Sequence, residues 1–217
     1  MEGYPKPVSK SCTKIICEQM NNFFYKVIIK DVNYEIGCFI HIKHGNKIYS
    51  VLMTLINVLQ CINNNSLNII MNNESKQIEL GDIKYGDKEC NICLLEIKDN
   101  NNDNIQYMEI DENIFKSELE MNYYKESIYV IQYDNKTDNS VSYGIINEIF
   151  KNKIRYSSNI DVNSKLSIIF NLNNNKILGI NKYRSNYYYK GIFFNNIINN
   201  FYRNIILQQK KNKGLFL

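Results

Sequence analysis

The chain has 217 residues, of which 44% are hydrophobic and 12% aromatic. This is enough apolar material to bury a core, and it excludes an intrinsically disordered chain. The net charge is only +4, and the basic residues are spread along the chain apart from a short C-terminal tail. Such a distribution argues against a dedicated nucleic-acid binder. No apolar run is long enough for a transmembrane helix, so we expect no membrane partner.

Asparagine and isoleucine are the most frequent residues of the chain, whereas alanine and tryptophan are absent. Codons rich in A and T account for this skew, so it indicates an AT-rich genome rather than a function. Asparagine tolerates left-handed backbone and closes turns with its side chain. We therefore predict that the asparagine runs at 63–65, 100–102 and 173–175 are turns.

The chain contains six cysteines. Residues 1–10 lack the apolar segment of a signal peptide, so we expect a cytoplasmic protein with reduced thiols. Cys90 and Cys93 form a C-x-x-C, but it lies in a strand-like run. Neither a second pair nor a nearby histidine completes a zinc site. The sequence thus predicts no metal and no cofactor.

In the first half of the chain, apolar spacing predicts a helix from 11 to 22, followed by β-structure. Residues 55–60 read as one helical turn, and a hairpin closes around 44–46. The predicted strands are 24–30, 36–43, 47–53, 67–71, 76–80, 92–97 and 105–109.

The second half repeats this style and ends in a helix, 195–208, with one apolar face. Its predicted strands are 127–133, 141–150, 153–158, 166–171, 176–181 and 187–194. Many short strands at regular spacing indicate a barrel or sandwich. We predict a mostly β protein, with an N-terminal helix and first barrel in 1–122, and a second barrel carrying the C-terminal helix on its outside in 123–217.

Four segments resemble, in order, motifs of the trypsin-like (chymotrypsin-fold) serine peptidases, in particular divergent intracellular members. Each motif alone is degenerate, but their order and spacing agree over about residues 10–200. The segments are GCFI at 37–40, TLINVL at 54–59, NICLLEI at 91–97, and NSKLSII at 163–169 followed by KILGI at 176–180. The resemblance implies a double antiparallel β-barrel.

The resemblance also implies where the catalytic triad would lie. The family's general base corresponds to Asn57, its orienting carboxylate to Asn91 and its nucleophilic serine to Lys165. The glycine that helps to form the oxyanion hole corresponds to Asn163, and the glycine after the nucleophile to Leu166. An amide cannot accept the nucleophile's proton or stabilise an imidazolium. None of the triad positions therefore keeps its catalytic residue.

These replacements predict a catalytically inactive homologue, a pseudopeptidase that binds a peptide or protein in the cleft between the barrels. Two alternatives stay open. The first is an active serine endopeptidase with a non-standard triad, using Ser164 or Ser167 as the hydroxyl. The second is an unrelated all-β interaction module. The only histidines, His41 and His44, lie in a hairpin and are expected to be surface or satisfied polar groups.

By the same resemblance, the strands at 176–181 and 187–194 would wall the former specificity pocket. Tyr187, Tyr188 and Tyr189 would fill that pocket or contact a peptide. Because side chains alternate along a strand, we expect at least one of the three to pack in the core.

Overall fold

The computed structural model describes residues 4–30, 33–71, 74–98, 105–133, 139–158, 164, 166–184 and 188–212. The chain forms two compact units. The N-barrel unit contains Phe23–Met108 and Ile197–Leu217, and the C-barrel unit contains Met1–Asn22 and Glu109–Asn196. Within the described ranges, no helix combines the length and the apolar character needed to cross a membrane.

The N-barrel is a closed antiparallel barrel of six strands, in the order β1-β4-β5-β6-β3-β2, with β1 pairing back onto β2. A short strand, β7, runs parallel to β2. The strands are β1 (Phe24–Lys30), β2 (Asn33–His44), β3 (Lys47–Leu55), β4 (Ser66–Met71), β5 (Glu74–Asp87), β6 (Ile92–Ile97) and β7 (Tyr107–Met108). Alternate residues such as Val27, Phe39, Leu52 and Leu95 fill its core. The predicted helical turn is confirmed as a 3₁₀ helix, Ile56–Cys61.

The C-barrel is also closed and antiparallel, in the order β10-β13-β12-β11-β8-β9. Its strands are β8 (Ser127–Tyr133), β9 (Ser140–Phe150), β10 (Lys153–Ser157), β11 (Leu166–Asn171), β12 (Ile177–Arg184) and β13 (Tyr189–Phe193). The helices of the chain are α1 (Lys10–Asn22), α2 (Leu119–Tyr123) and α3 (Asn195–Asn212), with a 3₁₀ turn at Glu112–Phe115. That turn and α2 lie between the strands predicted at 105–109 and 127–133. The predicted fold class, two β-barrels with a helix near each end of the chain, is confirmed.

The placement of α3 is the main correction to the predicted fold. The sequence analysis put the C-terminal helix outside the second barrel, but the helix packs on the first. Phe201 meets Tyr49 edge-to-face, with ring centroids 6.1 Å apart, and the Tyr202 hydroxyl donates to the Lys43 carbonyl. An apolar stripe shows that a helix needs a covered face, but it does not say which of two similar barrels covers it.

The helix α1, at the other end of the chain, was predicted together with the first barrel but packs on the C-barrel. Its buried Gln19 donates to the Asn175 carbonyl at 2.9 Å and accepts from the Tyr129 hydroxyl at 2.6 Å. The linker passes from one unit to the other between Met108 and Glu109, ahead of residue 122, where the sequence analysis divides the chain.

Asparagine supplies most of the described left-handed turn residues. Asn64, Asn65 and Asn175 have φ angles of 49°, 54° and 59°. This confirms the turn predictions for 63–65 and 173–175. The run 100–102 lies outside the described residues.

Candidate functional site

Asn57 occupies the place that the resemblance gives to the general base. It lies in the 3₁₀ helix directly after β3, exposed, beside the fully buried Val58. The end of β3 is fixed by Thr54, whose buried hydroxyl donates to the Ile36 carbonyl at 2.8 Å. The backbone that carries position 57 is thus held by the barrel itself.

The Asn57 side chain is engaged by a carboxylate on β2. Its Nδ2 donates to Glu35 Oε1 at 2.8 Å, and Glu35 is only 7% exposed. The amide acts as a hydrogen-bond donor and has no titratable nitrogen, so Asn57 itself cannot take a proton from a hydroxyl. Glu35 is not among the site residues predicted from the sequence. The one feature that could have pointed to it is an acidic residue at the start of an apolar strand.

Asn91 lies beside this turn in the same unit. It is exposed, it ends the β5–β6 turn just before β6, and its φ is 57°. Its carbonyl oxygen accepts from the backbone N–H of Ile56 at 3.2 Å. This hydrogen bond joins Asn91 to the residue just before Asn57. The structure therefore brings positions 57 and 91 to the same end of the N-barrel.

The nucleophile segment belongs to the C-barrel. Asn163 and Lys165 lie outside the described residues. Ser164 is half-buried and Ser167 is buried, and their hydroxyl oxygens are 2.6 Å apart. The two hydroxyls thus share a hydrogen bond.

Leu166 replaces the family's flexible glycine and opens β11. It is 3% exposed and lies opposite Tyr133 of β8. The residue is therefore held in a regular ladder, with its side chain in the core.

Both histidines lie away from Asn57. His41 stacks on Tyr107 with ring centroids 4.0 Å apart, and the His44 ring centroid is 4.3 Å from that of Tyr202. Thr54, at the Asn57 end of β3, lies opposite Gly37, whereas His41 lies opposite Ser50. Four residues of strand separate these pairs, which is about 13 Å. Neither imidazole is placed to act as a base at position 57.

Of the tyrosines at 187–189, the two that the structure describes have different surroundings. Tyr189 is buried and its ring stacks on that of Tyr156 at 5.8 Å, which confirms that one of the three packs in the core. The Tyr156 hydroxyl donates to Asn181 Oδ1 at 2.8 Å, and burial raises the pKa of Tyr156 well above its ordinary value. Tyr188 is half-buried, and Tyr187 lies outside the described residues.

Within the described part of the chain, no three histidine, cysteine or acidic residues cluster as metal ligands would. No disulfide joins the six cysteines. The two cysteines of the C-x-x-C differ in burial: Cys93 is in the core, whereas Cys90 lies in the turn before β6. The Cys93 thiol donates to the Leu55 carbonyl at 3.3 Å, and burial raises its pKa to about 12.

No family model and no curated protein matches the chain. Among solved structures, it is similar to Rv3671c from M. tuberculosis H37Rv, in an inactive form with a serine-to-alanine substitution. The TM-score is 0.58 at 10% identity, over 96% of this chain and 98% of that one. It is also similar to Deg5, with a TM-score of 0.55 at 10% identity, over 89% and 95% of the two chains. At this identity the likeness concerns the fold. Together with the two closed six-stranded barrels, it shows that the chain has the trypsin-like fold.

Proposed function

We propose that the protein is a catalytically inactive trypsin-like homologue that works by binding a peptide or protein. The observation that carries this proposal is the pair of asparagines at positions 57 and 91. The resemblance gives these positions to the general base and the orienting carboxylate, and both lie at one end of the N-barrel. The Asn57 amide, moreover, donates a hydrogen bond to the Glu35 carboxylate.

Chemistry at this site would need a base at position 57, and an asparagine amide does not take up a proton near neutral pH. Glu35 already accepts from the amide of Asn57. In trypsin-like enzymes, loss of the triad costs about 10⁴ to 10⁶ in kcat, leaving only binding and oxyanion-hole effects. An enzyme so impaired still keeps its surface for recognition.

The serine hydroxyls support the same proposal. Ser164 and Ser167 bond to each other. A serine hydroxyl becomes a strong nucleophile only with a base, and the position that the resemblance gives to the base is an asparagine. If the protein were active after all, the fold would make it a serine-type endopeptidase, and the hydroxyl would come from this pair.

Hydrolysis of fluorescent casein tests the catalytic half of the proposal. We expect purified protein to release no more fluorescence than a Ser164→Ala, Ser167→Ala double variant, beside an active trypsin-like control. Hydrolysis that survives purification and disappears in the double variant would contradict the proposal.

Selection from a random peptide library tests the binding half. We expect enrichment of a peptide motif that is lost in Asn57→Arg, because a bulky cation at that turn would block the surface around positions 57 and 91. Asn68→Arg is the matched control, since Asn68 is an exposed asparagine on β4 of the same barrel. Equal loss in both variants, or no enrichment, would count against binding at this end of the N-barrel.

A cytoplasmic location stays a prediction of the sequence. Alkylation of intact cells, followed by mass spectrometry, would count the thiols that are reduced in the cell. Six alkylated cysteines are expected there, whereas oxidised pairs would indicate another compartment.

A further inference from the structure

We propose that the outer face of three C-barrel strands, β9, β10 and β13, binds an acidic, extended peptide segment. This inference goes beyond the proposed function, because the surface lies on the C-barrel and not around positions 57 and 91 of the N-barrel. The surface, called the basic face below, consists of Glu148, Phe150, Lys151, Lys153, Arg155, Tyr188 and Lys190.

The strand register places these side chains in two adjacent rows. Phe150 lies opposite Lys153, whereas Glu148 lies opposite Arg155, which in turn lies opposite Lys190. The intervening residues Ile149, Ile154, Tyr156 and Tyr189 are all buried. Because side chains alternate along a strand, the two rows project together from the outer side of the sheet.

Four cations and one carboxylate share this small area. Glu148 Oε2 is 2.5 Å from Arg155 Nη1, so Arg155 is the cation nearest to that acid. Lys151 adds positive charge at the hairpin tip, Lys153 adds it at the start of β10, and Lys190 adds it on β13. The face therefore presents a local positive potential, although the whole chain carries only +4.

One cross-strand pair concentrates positive charge on this face. Arg155 and Lys190 lie directly opposite each other. The Tyr188 ring lies near both cations, with its centroid 4.1 Å from the Arg155 guanidinium carbon and 5.4 Å from Lys190 Nζ. A carboxylate of the partner at this point would meet both cations, in addition to the ion pair that Arg155 forms with Glu148.

The adjoining hairpin tip supplies an apolar contact. Phe150 is 63% exposed, and Lys151 Nζ is 5.5 Å from its ring centroid. Covering this ring with an apolar side chain of the partner would remove its surface from water. The basic face thus combines anion recognition with one apolar anchor.

Spacing favours an extended polypeptide as the occupant. Lys153 and Arg155 are two residues apart on one strand, which places their side chains about 7 Å apart on the same face. Carboxylates at alternate positions of an extended peptide have the same spacing. Nucleic acids are held by longer cationic tracks with stacking platforms. The face has four cations beside one exposed phenylalanine, which suits a short acidic segment that carries an apolar residue.

Fluorescence anisotropy of labelled peptides tests the proposal on the full chain. The probes are a peptide with glutamate at alternate positions and one terminal phenylalanine, its glutamine counterpart, and the acidic peptide without phenylalanine. We expect the first probe to bind best, the glutamine probe to bind at least tenfold more weakly, and the affinity to fall as salt rises.

Matched variants separate the basic face from general charge. Lys153→Gln with Lys190→Gln is expected to weaken binding about three- to tenfold, as expected for two partly exposed charge contacts. Lys10→Gln with Lys88→Gln removes the same charge at exposed sites elsewhere and is expected to leave binding unchanged. Phe150→Ser should weaken binding of the acidic probe that carries phenylalanine and leave binding of the acidic probe without it unchanged. Circular dichroism of each variant checks folding.

Three outcomes would overturn the proposal. The first is equal binding of the glutamate and glutamine probes, and the second is equal loss in the two lysine double variants. The third is tighter binding of oligouridine or of phosphatidylserine vesicles than of the acidic peptide. Casein hydrolysis abolished by the double serine substitution would refute the proposed inactivity instead and would leave these binding results intact, so the two failures are distinguishable.

Discussion

The two barrel units hold their terminal helices in chemically different ways. In the N-barrel unit, α3 is anchored by buried aromatic and aliphatic groups, with Phe201 against Tyr49. In the C-barrel unit, α1 is anchored by hydrogen bonds of Gln19 to Asn175 and Tyr129. The contrast extends to the site positions, because a buried carboxylate fixes Asn57 whereas the C-barrel serines bond to each other. One fold is thus stabilised by apolar burial at one helix and by polar pairing at the other.

The largest expected effect is at the apolar anchor. Phe201→Ala removes a fully buried ring and should lower the free energy of unfolding by about 3–5 kcal/mol. Urea denaturation monitored by circular dichroism measures this change. Leu207→Ala on the same helix is the control, since Leu207 is 48% exposed and its loss should cost about 0.5 kcal/mol or less. Similar costs for both variants would show that α3 is not anchored through Phe201.

The next effect concerns a buried carboxylate of the C-barrel unit. Asp111 is 2% exposed and accepts from Asn171 Nδ2 at 3.0 Å, Asn174 Nδ2 at 2.9 Å and the Asn113 N–H at 3.1 Å. Asp111→Ala would leave the buried Asn171 amide without this acceptor and remove a buried, hydrogen-bonded carboxylate, and it should cost about 2–4 kcal/mol of unfolding free energy. A cost below 0.5 kcal/mol by urea denaturation would contradict this role.

The same carboxylate gives a pH prediction. Burial alone would raise the pKa of Asp111, but hydrogen bonds from Asn174, the Asn113 N–H and Asn171 outweigh it, so the pKa is lowered in the folded protein. This stabilisation is present above the ordinary pKa of about 3.9 and disappears as the pH falls through the lowered folded value. Between pH 5 and pH 2.5, the Tm of the native protein should therefore fall further than that of Asp111→Asn. Parallel Tm curves would contradict the prediction.

The polar anchor of α1 should contribute less. Gln19→Ala removes two hydrogen bonds, to the Asn175 carbonyl and from the Tyr129 hydroxyl, and should cost about 1–2 kcal/mol. Glu18→Ala, at an exposed position on the same helix, is the matched control with an expected change near zero. An equal cost in thermal unfolding of the two variants would mean that α1 is held by other contacts.

The smallest stability effect is expected at the site itself. Glu35→Gln keeps an acceptor for Asn57 but removes the negative charge, so the free energy of unfolding should change by about 1 kcal/mol or less. The sharper measurement is the NMR spectrum of the side-chain amide. The Asn57 Nδ2 protons should shift in Glu35→Gln, while those of Asn68 should not. An unchanged Asn57 signal would mean that the pair does not form in solution.

Much of this fold could be predicted from local pattern. Apolar alternation and turn residues located the strands and the 3₁₀ turn after β3, because these features depend on neighbouring residues alone. The resemblance then placed Asn57 and Asn91, and the structure brings both to one end of the N-barrel. What failed were features that depend on residues distant in sequence, such as the barrel against which each helix packs.

The length of β5 shows such a limit. The strand predicted here from the sequence, 76–80, ends at residue 80. In the structure, Leu80 lies opposite Ile97 and Lys84 opposite Leu95, so the strand continues through a bulge. Glu96 Oε2 accepts from the Ile83 N–H at 3.2 Å there, and a Cβ on Gly81 would lie 2.4 Å from that carboxylate. The glycine thus makes room for a partner on another strand.

Glu35 illustrates the same limit at the site. Its hydrogen bond with Asn57 joins β2 to the turn after β3, and no local motif predicts such a pairing. The alternation of β2 identifies the core-facing residues. It does not reveal that one acidic side chain is buried against an amide 22 residues later in the chain.

Labelling with a fluorophosphonate probe tests the central claim, an inactive site, most directly. The probe reacts only with an activated serine, so it needs no knowledge of the substrate. The account predicts no labelling of the purified protein under conditions that label an active trypsin-like control completely. Labelling that is lost in the Ser164→Ala, Ser167→Ala double variant would contradict it, because it would show that one of these hydroxyls has a base.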